Sequence, residues 1–319
     1  MKKKVLYLLL AASMILSLIG CGAKEVASEP TSEPAAQEPA VVVEEVAEQE
    51  PALTVEDLNA MIKEERSKNE PNRDQIKDWC NQAIEMGSGY AMYIMSSECG
   101  MDGDYEKSIE FAQKAIDNNN PMGYITLSAC YSDGLGVDAD INKAIEYANK
   151  CIEEGVTYGY ALLGNIYTGT YEGIERDEAK MFENYKAYCD SATEDINYSY
   201  FEGLAACYQQ GMGVEKDREK AIEYYLIAAG NGRPYCYALA ASIYMANEDY
   251  DNAAPLYGMY AESDADFEQY AAYIDAFLSG GEALYKIGNV EMAKTFWEKS
   301  IELGEPHADI AQQKLDSVQ

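Results

Sequence analysis

One motif occurs three times in the chain and constrains its fold more than any other feature. The fullest copy, residues 211–225, reads Gly-Met-Gly-Val-Glu-Lys-Asp-Arg-Glu-Lys-Ala-Ile-Glu-Tyr-Tyr, and a near twin begins at Gly134. A looser copy occupies residues 173–180. The three copies share Gly, an apolar residue, two variable positions, Asp, two variable positions and Lys. A unit that recurs in this way predicts a repeat protein built from stacked copies of one supersecondary element.

The motif contains the residues that a turn between two helices requires. Gly134 and Gly211 follow apolar-rich segments, and glycine most readily adopts the left-handed conformation that ends a helix. Ala144 and Ala221 are small enough for two helices to cross closely. The aspartates of the motif are expected to cap the second helix by accepting hydrogen bonds from its free amides. These aspartates are Asp140, Asp177 and Asp217.

Apolar-rich segments that end on tyrosine recur through the same region. They are residues 124–131, 160–167, 201–208 and 237–244. Their final tyrosines are 36, 41 and 36 residues apart. No segment alternates convincingly as a strand would, so the sequence predicts an all-α fold. The expected architecture is an α-α superhelix (solenoid) of about six helix pairs over residues 54–319, in which each pair is buried against its neighbours.

Both ends of this array depart from the regular unit. Thr54 and Asp74 are expected to cap the first two helices. Residues 264–278 predict a helix that Gly280-Gly281 interrupts, so these glycines either separate two helices or kink one. A polar helix over residues 306–316 would cover the open end of the stack.

The motif and the tyrosine segments resemble the Sel-one-like repeat, a relative of the tetratricopeptide repeat. That family has Leu-Gly and Tyr in its first helix, followed by Gly-x-Gly-Val, Asp, Lys-Ala and paired aromatic residues. The copy at residues 211–225 matches the second part of this pattern almost fully. The resemblance extends over residues 88–260, whereas residues 283–304 are closer to a tetratricopeptide unit. It implies a helical solenoid whose partners dock on a concave wall of first helices.

The resemblance also implies which residues face this groove. In tetratricopeptide relatives they lie two positions before and one after the repeat tyrosine, and again one turn earlier. In this chain the apolar positions of that set are Ala129, Ala206 and Met245. The polar positions, which could bind a peptide, are Ser132, Asn165, Thr168, Glu202, Gln209 and Ser242. Plain solvated helix surface is the alternative for each of them.

The first 53 residues predict an export signal followed by a tether. Residues 1–20 begin with three lysines and continue with an apolar run too short to span a bilayer, which is typical of a secretory signal. Leu-Ile-Gly-Cys resembles the bacterial lipobox, in which the Cys, here Cys21, becomes the lipidated first residue; an ordinary signal peptide with a chance Cys is the alternative. Residues 21–53, rich in Glu, Pro, Ala and Val, predict a disordered acidic tether. The expected location is the extracytoplasmic face of a bacterial membrane, held there by several acyl chains.

Composition limits the kind of partner. The formal charge is −32, and it becomes −35 when residues 1–20, with three lysines and no acidic residue, are removed. Such a chain repels the phosphates of nucleic acids and anionic lipids, so we expect no nucleic acid. The acidity is compatible with a basic partner or with divalent ions loosely condensed on the surface, and identifies neither. Seven cysteines remain besides Cys21. Their odd number and irregular gaps favour buried apolar thiols, and leave one or two bridges open.

The sequence offers no convincing catalytic or metal-binding set. His307 is the only histidine and has no cysteine or acid at ligand spacing. The segment Asp138-Ala-Asp-Ile-Asn lacks the Gly and the Glu that a calcium loop needs. No serine or thiol has a partner that would activate it. We therefore expect no enzyme activity, no cofactor and no small-molecule substrate.

The function expected from the sequence is that of a membrane-tethered, extracytoplasmic scaffold that binds a protein or peptide in its groove. The alternative is a cell-wall-directed protein that binds penicillin or hydrolyses β-lactams, since exported, cysteine-rich members of the same family are linked to those activities. Those members pair cysteines at a short regular gap. Here the closest cysteines are 18 and 19 residues apart, which weakens this alternative.

Overall fold

The computed structural model describes residues 52–193, 196–263, 267, 275–304 and 306–318. Residues 1–20, Cys21 and nearly all of the expected tether lie outside this part of the chain. Within it the regular elements are helices, as the sequence predicts. They are α1 (Val55–Arg66), α2 (Arg73–Glu85), α3 (Gly89–Met101), α4 (Tyr105–Asp117), α5 (Gly123–Asp133), α6 (Ile141–Glu153), α7 (Tyr158–Ile166), α8 (Glu178–Ser191), α9 (Ser199–Gln210), α10 (Arg218–Ala229), α11 (Cys236–Met245), α12 (Tyr250–Ala261), α13 (Ala276–Lys286), α14 (Val290–Leu303) and α15 (Ala308–Ser317). None of these helices is long and apolar enough to cross a membrane.

Successive helices pack as pairs, from α1–α2 to α13–α14, and α15 packs on the last pair. The described residues thus contain seven pairs, one more than the approximate number that the sequence predicts. First helices of neighbouring pairs also touch, as in α1–α3, α3–α5, α5–α7 and α11–α13, whereas successive second helices of the described part do not touch to this extent. In these four places the first helices therefore lie closer together than the second helices do. We call the surface of α1, α3, α5, α7, α9 and α11 the first-helix face.

The turn between the two helices of a unit repeats one set of hydrogen bonds. Gly211 has a φ of +78° and ends α9. The backbone N–H of Asp217 donates to the carbonyl oxygen of Tyr208 at 3.0 Å, and the Asp217 carboxylate accepts from the N–H of Lys220 at 3.0 Å. The other two copies close in the same way, from Asp140 to Tyr131 at 2.8 Å and from Asp177 to Tyr167 at 3.0 Å. The expected aspartate caps are therefore confirmed in all three copies.

The lysine of the motif has a structural role as well. The Nζ atom of Lys220 lies 5.0 Å from the centre of the Tyr208 ring and 3.6 Å from the Asp217 carboxylate. The equivalent lysines, Lys143 and Lys180, each lie 4.8 Å from the centre of their repeat tyrosine. The lysine thus joins the cap of the second helix to the aromatic end of the first by a cation–π contact.

Small residues let the helices of a unit approach closely. Ala144 and Ala221 are fully buried, as expected. In α8 the ring of Tyr185 packs against Gly164 of α7 and Gly203 of α9. A methyl group at Gly164 would lie 2.4 Å from that ring, so glycine is required for the tyrosine to fit between the two first helices.

Of the two helix caps predicted at the N-terminal end of the array, one is confirmed and one is wrong. Thr54 caps α1 in a capping box with Asp57, as expected for a helix that starts there. The cap of α2 is Asn72, whose side chain accepts from the N–H of Gln75. The expectation of Asp74 as that cap is wrong, because the helix begins one residue before it.

Of the two alternatives for Gly280-Gly281, the separation of two helices is wrong. Both glycines lie inside α13, under the rings of Phe296 and Trp297 from α14. A methyl group at Gly281 would lie 2.4 Å from Nε1 of Trp297, and one at Gly280 would lie 2.7 Å from the Phe296 ring. Glycine here permits close helix packing rather than a turn. Residues 264–266 and 268–274, where the sequence predicts the start of this helix, lie outside the described residues.

The cysteines of the described chain are unpaired thiols. Cys130 and Cys207 are buried, as is Ile166 at the equivalent position of the pair between them. The interpretation of these two cysteines as small apolar core residues is confirmed.

Candidate partner-binding surface

A cavity of about 580 Å³ lies on the first-helix face. Its lining comes from α1, α3, α5 and α7, from α8 and from the loops that precede α5, α7 and α9. Side chains that shape it are Arg66, Tyr90, Tyr93, Ile125, Tyr158 and Tyr188. We call it the tyrosine cavity. A concave site of this size with aromatic walls is typical of a ligand-binding surface.

Hydrogen bonds and ring contacts fix the tyrosines at one end of this cavity. The ring of Tyr158 meets the rings of Tyr188 and Tyr200 edge-on, each at 6.0 Å between centres. The Tyr158 and Tyr200 hydroxyls are 3.3 Å apart. The Tyr188 hydroxyl accepts from the backbone N–H of Asn197 at 2.8 Å. The wall is therefore preorganised, which lowers the entropic cost of binding.

Arg66 brings a positive charge to the cavity. It is the last residue of α1, its side chain is exposed, and none of the ion pairs formed among the described residues includes it. Glu194 and Asp195, which follow the lining residue Thr193, lie outside the described residues. The lining is otherwise uncharged, in a chain whose formal charge is −32.

A second cavity, of about 200 Å³, lies beside the first because Tyr158 lines both. Asp133 and Tyr171 also line it, so we call it the Asp133 cavity. It brings together Ser132 and Asn165, two of the residues expected to face a groove, with Ala129 of the same set. The Ser132 hydroxyl donates to the Ala129 carbonyl at 3.0 Å.

Asn165 is part of a hydrogen-bond network between three helices. Its side-chain oxygen accepts from the Tyr185 hydroxyl of α8, and its Nδ2 donates to the Tyr200 hydroxyl of α9, both at 3.0 Å. Burial raises the pKa of Tyr185 to about 12, so this phenol remains a donor at neutral pH. The Thr168 hydroxyl donates to the Asn165 carbonyl at 2.6 Å. Asn165 therefore positions helices as well as lining the Asp133 cavity.

The other expected groove residues line neither cavity. Glu202 forms an ion pair with Arg233 at 2.7 Å and accepts from the Tyr235 hydroxyl. Gln209 accepts from the Tyr225 hydroxyl at 2.9 Å. The Ser242 hydroxyl donates to the carbonyl of Leu239 in its own helix at 2.7 Å. All three are partly exposed.

Sequence reasoning missed the residues that shape the tyrosine cavity, although a signal for them exists. Tyr90, Tyr158 and Tyr235 each lie nine residues before the end position of their unit, at Cys99, Tyr167 and Tyr244. Comparing units at this register, instead of only around the repeat tyrosine, would have pointed to an aromatic row. Arg66 has no such signal, because it lies in the irregular first unit.

The cysteine thiols and the histidine, which are groups that enzymes often use in catalysis, lie in surroundings typical of structural residues. Burial raises the pKa of Cys80 and Cys151 to about 12 and that of Cys207 to about 11, which keeps these thiols protonated and poorly nucleophilic. His307 Nδ1 lies 2.5 Å from the Asp275 carboxylate, and this hydrogen bond raises the pKa of the imidazole. Among the described residues, no group of three or more His, Cys, Asp or Glu side chains is arranged to hold a metal ion.

Comparison with known protein families identifies the repeat. The model of the Sel1 repeat matches residues 89–120, 122–156 and 202–232, which coincide with the pairs α3–α4, α5–α6 and α9–α10. The chain contains Sel1 repeats. The pair α7–α8 lies between two matched segments without matching the family model itself. It is the unit that carries the loosest copy of the motif.

Solved structures share the fold of this chain. One is c5321, a protective antigen of uropathogenic Escherichia coli strains that displays an SLR fold, with a TM-score of 0.61 and 21% identity over 82% of this chain. The match covers 56% of the antigen's own length. Another is a Sel1 repeat protein from Oxalobacter formigenes, with a TM-score of 0.51 and 17% identity, covering 67% of this chain and 87% of that one. No curated protein matches this chain.

Proposed function

We propose that this Sel1-repeat protein is a non-enzymatic scaffold that binds a protein or peptide on its first-helix face. The observation that carries the proposal is the tyrosine cavity, to which four successive first helices contribute. A partner that fills such a cavity contacts several repeats at once, so affinity accumulates over neighbouring units. The groove residues Ser132, Asn165, Thr168, Glu202, Gln209 and Ser242 would extend the contact beyond the cavity.

The chemistry of the lining suits a polypeptide partner. Tyrosine presents a broad apolar ring and a hydroxyl at low entropic cost, which is why it is enriched at binding interfaces. Thr157 and Asn197 add short polar groups at the same cavity. The raised pKa values of the buried thiols and the carboxylate-bound His307 favour a binding role over a catalytic one.

We also propose that the scaffold is anchored outside the cytoplasm by lipid on Cys21. The support is the sequence alone, with its basic start, its short apolar run and Leu-Ile-Gly-Cys. The anchor is tested by expressing the full chain and its Cys21→Ala variant in a bacterial host fed with radiolabelled palmitate. We expect label and membrane association for the unchanged chain only; equal membrane association of both proteins would contradict the anchor.

The binding surface is tested by site-specific photocrosslinking in the native host. A benzophenone amino acid replaces Tyr93 in the tyrosine cavity or, as a control, Glu223 on the exposed side of α10. We expect a discrete covalent adduct with another protein from position 93 and none from position 223. Absence of an adduct at position 93, and at Tyr90 and Ile125 in the same cavity, would overturn the proposed binding surface.

A further inference from the structure

The carboxylate of Asp133 lacks the lysine partner that the capping aspartates of the three motif copies have. Asp140, Asp177 and Asp217 each lie within 4 Å of a lysine three residues ahead. Asp133, the last residue of α5, accepts only from the Ser132 hydroxyl at 3.2 Å, and no cation of the described residues pairs with it. Its side chain lines a concave surface and remains open to solvent. An unpaired carboxylate at such a place attracts a cation from outside the chain.

An aromatic wall faces this carboxylate. Tyr171 belongs to the turn between α7 and α8, which is one residue longer between its repeat tyrosine and its cap, Asp177, than the turns of the other two copies. Burial, and next the charge of Asp133, raise the pKa of the Tyr171 phenol. Tyr158 forms a second aromatic side. The cavity therefore combines one negative charge with two tyrosine rings.

The size of the cavity limits what can enter. At about 200 Å³ it lies below the usual range of pockets that enclose a whole small ligand, roughly 300–1,000 Å³. It is large enough for one long side chain. A carboxylate attracts an ammonium or guanidinium group by a charge-assisted hydrogen bond, and tyrosine rings attract the same groups by cation–π contact.

We infer that the Asp133 cavity is a specificity pocket for one lysine or arginine side chain of a peptide whose neighbouring residues occupy the tyrosine cavity. The two cavities share Tyr158, so one extended segment can reach both. The formal charge of −32 favours the approach of a basic segment over long range. This inference rests on the proposed function, since it names the kind of partner that the first-helix face selects.

The test uses a random dodecapeptide library displayed on phage and selected on the chain from residue 22 onward at low salt. We expect the selected peptides to share a lysine or arginine at one position. Asp133→Asn should weaken binding of the best synthetic peptide about fivefold, the upper range for a partly exposed charge pair, and 0.5 M NaCl should remove most of this difference. Tyr171→Ala should weaken binding and Tyr171→Phe should not, because phenylalanine keeps the ring.

Matched controls distinguish binding in the Asp133 cavity from a general attraction of basic peptides to an acidic protein. Asp138, an exposed carboxylate in the turn that directly follows α5, lines neither cavity. Asp138→Asn should therefore leave affinity unchanged. Replacing the peptide's basic residue by norleucine should weaken binding to the unchanged protein and add no further loss in Asp133→Asn. Peptides that bind the tyrosine cavity without a basic residue, or with equal loss in both aspartate variants, would overturn the pocket and leave the proposed function standing. Selection of no peptide would count against the proposed function itself, and with it the pocket.

Discussion

At the scale of single residues, Gly213 combines a left-handed backbone with a tight contact. Its φ is +68°, and a methyl group there would lie 2.0 Å from the carbonyl oxygen of Glu178 in the preceding second helix. Gly232 also has a positive φ, of +89°, but has open space around it. Comparing alanine variants of these two glycines therefore separates the cost of backbone strain from the cost of a steric clash between repeats.

We predict that Gly213→Ala destabilises the domain more than Gly232→Ala does. A left-handed backbone conformation destabilises an L-residue by about 1–2 kcal/mol, and both variants incur this penalty. The clash in Gly213→Ala adds about 1–3 kcal/mol, as overpacking of a well-packed site does. Urea denaturation followed by circular dichroism measures both. Equal losses would show that the contact with Glu178 relaxes freely.

The only histidine of the chain gives a second residue-scale prediction. The hydrogen bond that the Asp275 carboxylate accepts, and next its charge, raise the pKa of His307, so its imidazole should titrate above the usual value of about 6.5. Because the pKa of His307 is higher in the folded state than in the unfolded state, protonation of the imidazole stabilises the fold. This stabilisation is complete below about pH 6.5 and is lost as the pH rises through the pKa of the folded state. The affected contact joins the start of α15 to α13.

Proton NMR of the single imidazole checks this directly. The titration should shift to lower pH in Asp275→Asn and much less in Asp309→Asn, since Asp309 contributes the smallest of the four effects on the pKa. Protection factors of α15 amides should fall above the folded pKa in the unchanged protein. A pKa at or below the usual value would refute the ion pair.

The residue scale shows what sequence could and could not supply. The caps Asp140, Asp177 and Asp217 were predictable because a cap acts on amides two or three residues away in sequence. The position of Lys220 over Tyr208 was not, because that contact joins two helices. The polar side chains of Asn165 and Glu202 were expected to be available to a partner. Instead they bind Tyr200 and Arg233, which the sequence pattern of one repeat could not reveal because these partners belong to the next repeat.

At the scale of elements, α13 shows how a helix can contain two consecutive glycines. Glycine in a helix interior costs about 1 kcal/mol relative to alanine, so the sequence pattern indicates a break. Phe296 and Trp297 of α14 pack directly on Gly280 and Gly281 and offset that cost by burial. The local pattern was interpreted correctly as poor helix propensity, but tertiary packing decided the outcome.

We therefore predict opposite effects for two Gly→Ala substitutions inside helices. Gly281→Ala gains about 1 kcal/mol of helix propensity but places a methyl group against Trp297, which is 1% exposed. Overpacking of this kind costs about 1–3 kcal/mol, so the net result should be a loss of up to about 2 kcal/mol. Gly258→Ala in α12 meets nothing within 4 Å and should stabilise by about 1 kcal/mol. Thermal denaturation of both variants measures the difference. Stabilisation by Gly281→Ala would mean that α13 and α14 are not packed as described.

At the scale of the whole repeat domain, the architecture follows from sequence more readily than the binding surface. Recurrence of the motif in register defines the stacked unit, because each copy repeats the same local turn. The cavities arise only when several units stack, which brings Arg66, Tyr90 and Tyr158 together from distant parts of the chain. A single sequence contains no measure of how neighbouring units are placed against each other. The count of pairs was low for a related reason, since the terminal units lack the motif.

The apolar core is divided along the stack. One cluster of buried residues lies in the first units, around Leu58, Ile62 and Ile76. A larger one runs from Ala161 to Ala311. Between them, the buried apolar residues of α4, α5 and α6 are small apart from one leucine: Ala112, Ala115, Leu127, Cys130, Ala144, Ala148 and Cys151. Burial of such small side chains contributes less free energy than burial of leucine, isoleucine or aromatic residues.

We predict that the two clusters unfold at different urea concentrations, because the stability of a solenoid is nearly a sum over neighbouring units. The chain has two tryptophans, and they report separately: Trp79 packs on the first cluster and Trp297 lies in the second. The single-tryptophan variants Trp297→Phe and Trp79→Phe should show fluorescence midpoints that differ, with that of Trp79 at lower urea because its cluster is smaller. Circular dichroism of each variant controls for any change in overall stability. Coincident midpoints for both tryptophans and for circular dichroism would mean that the small residues of α4–α6 couple the two clusters into one cooperative unit.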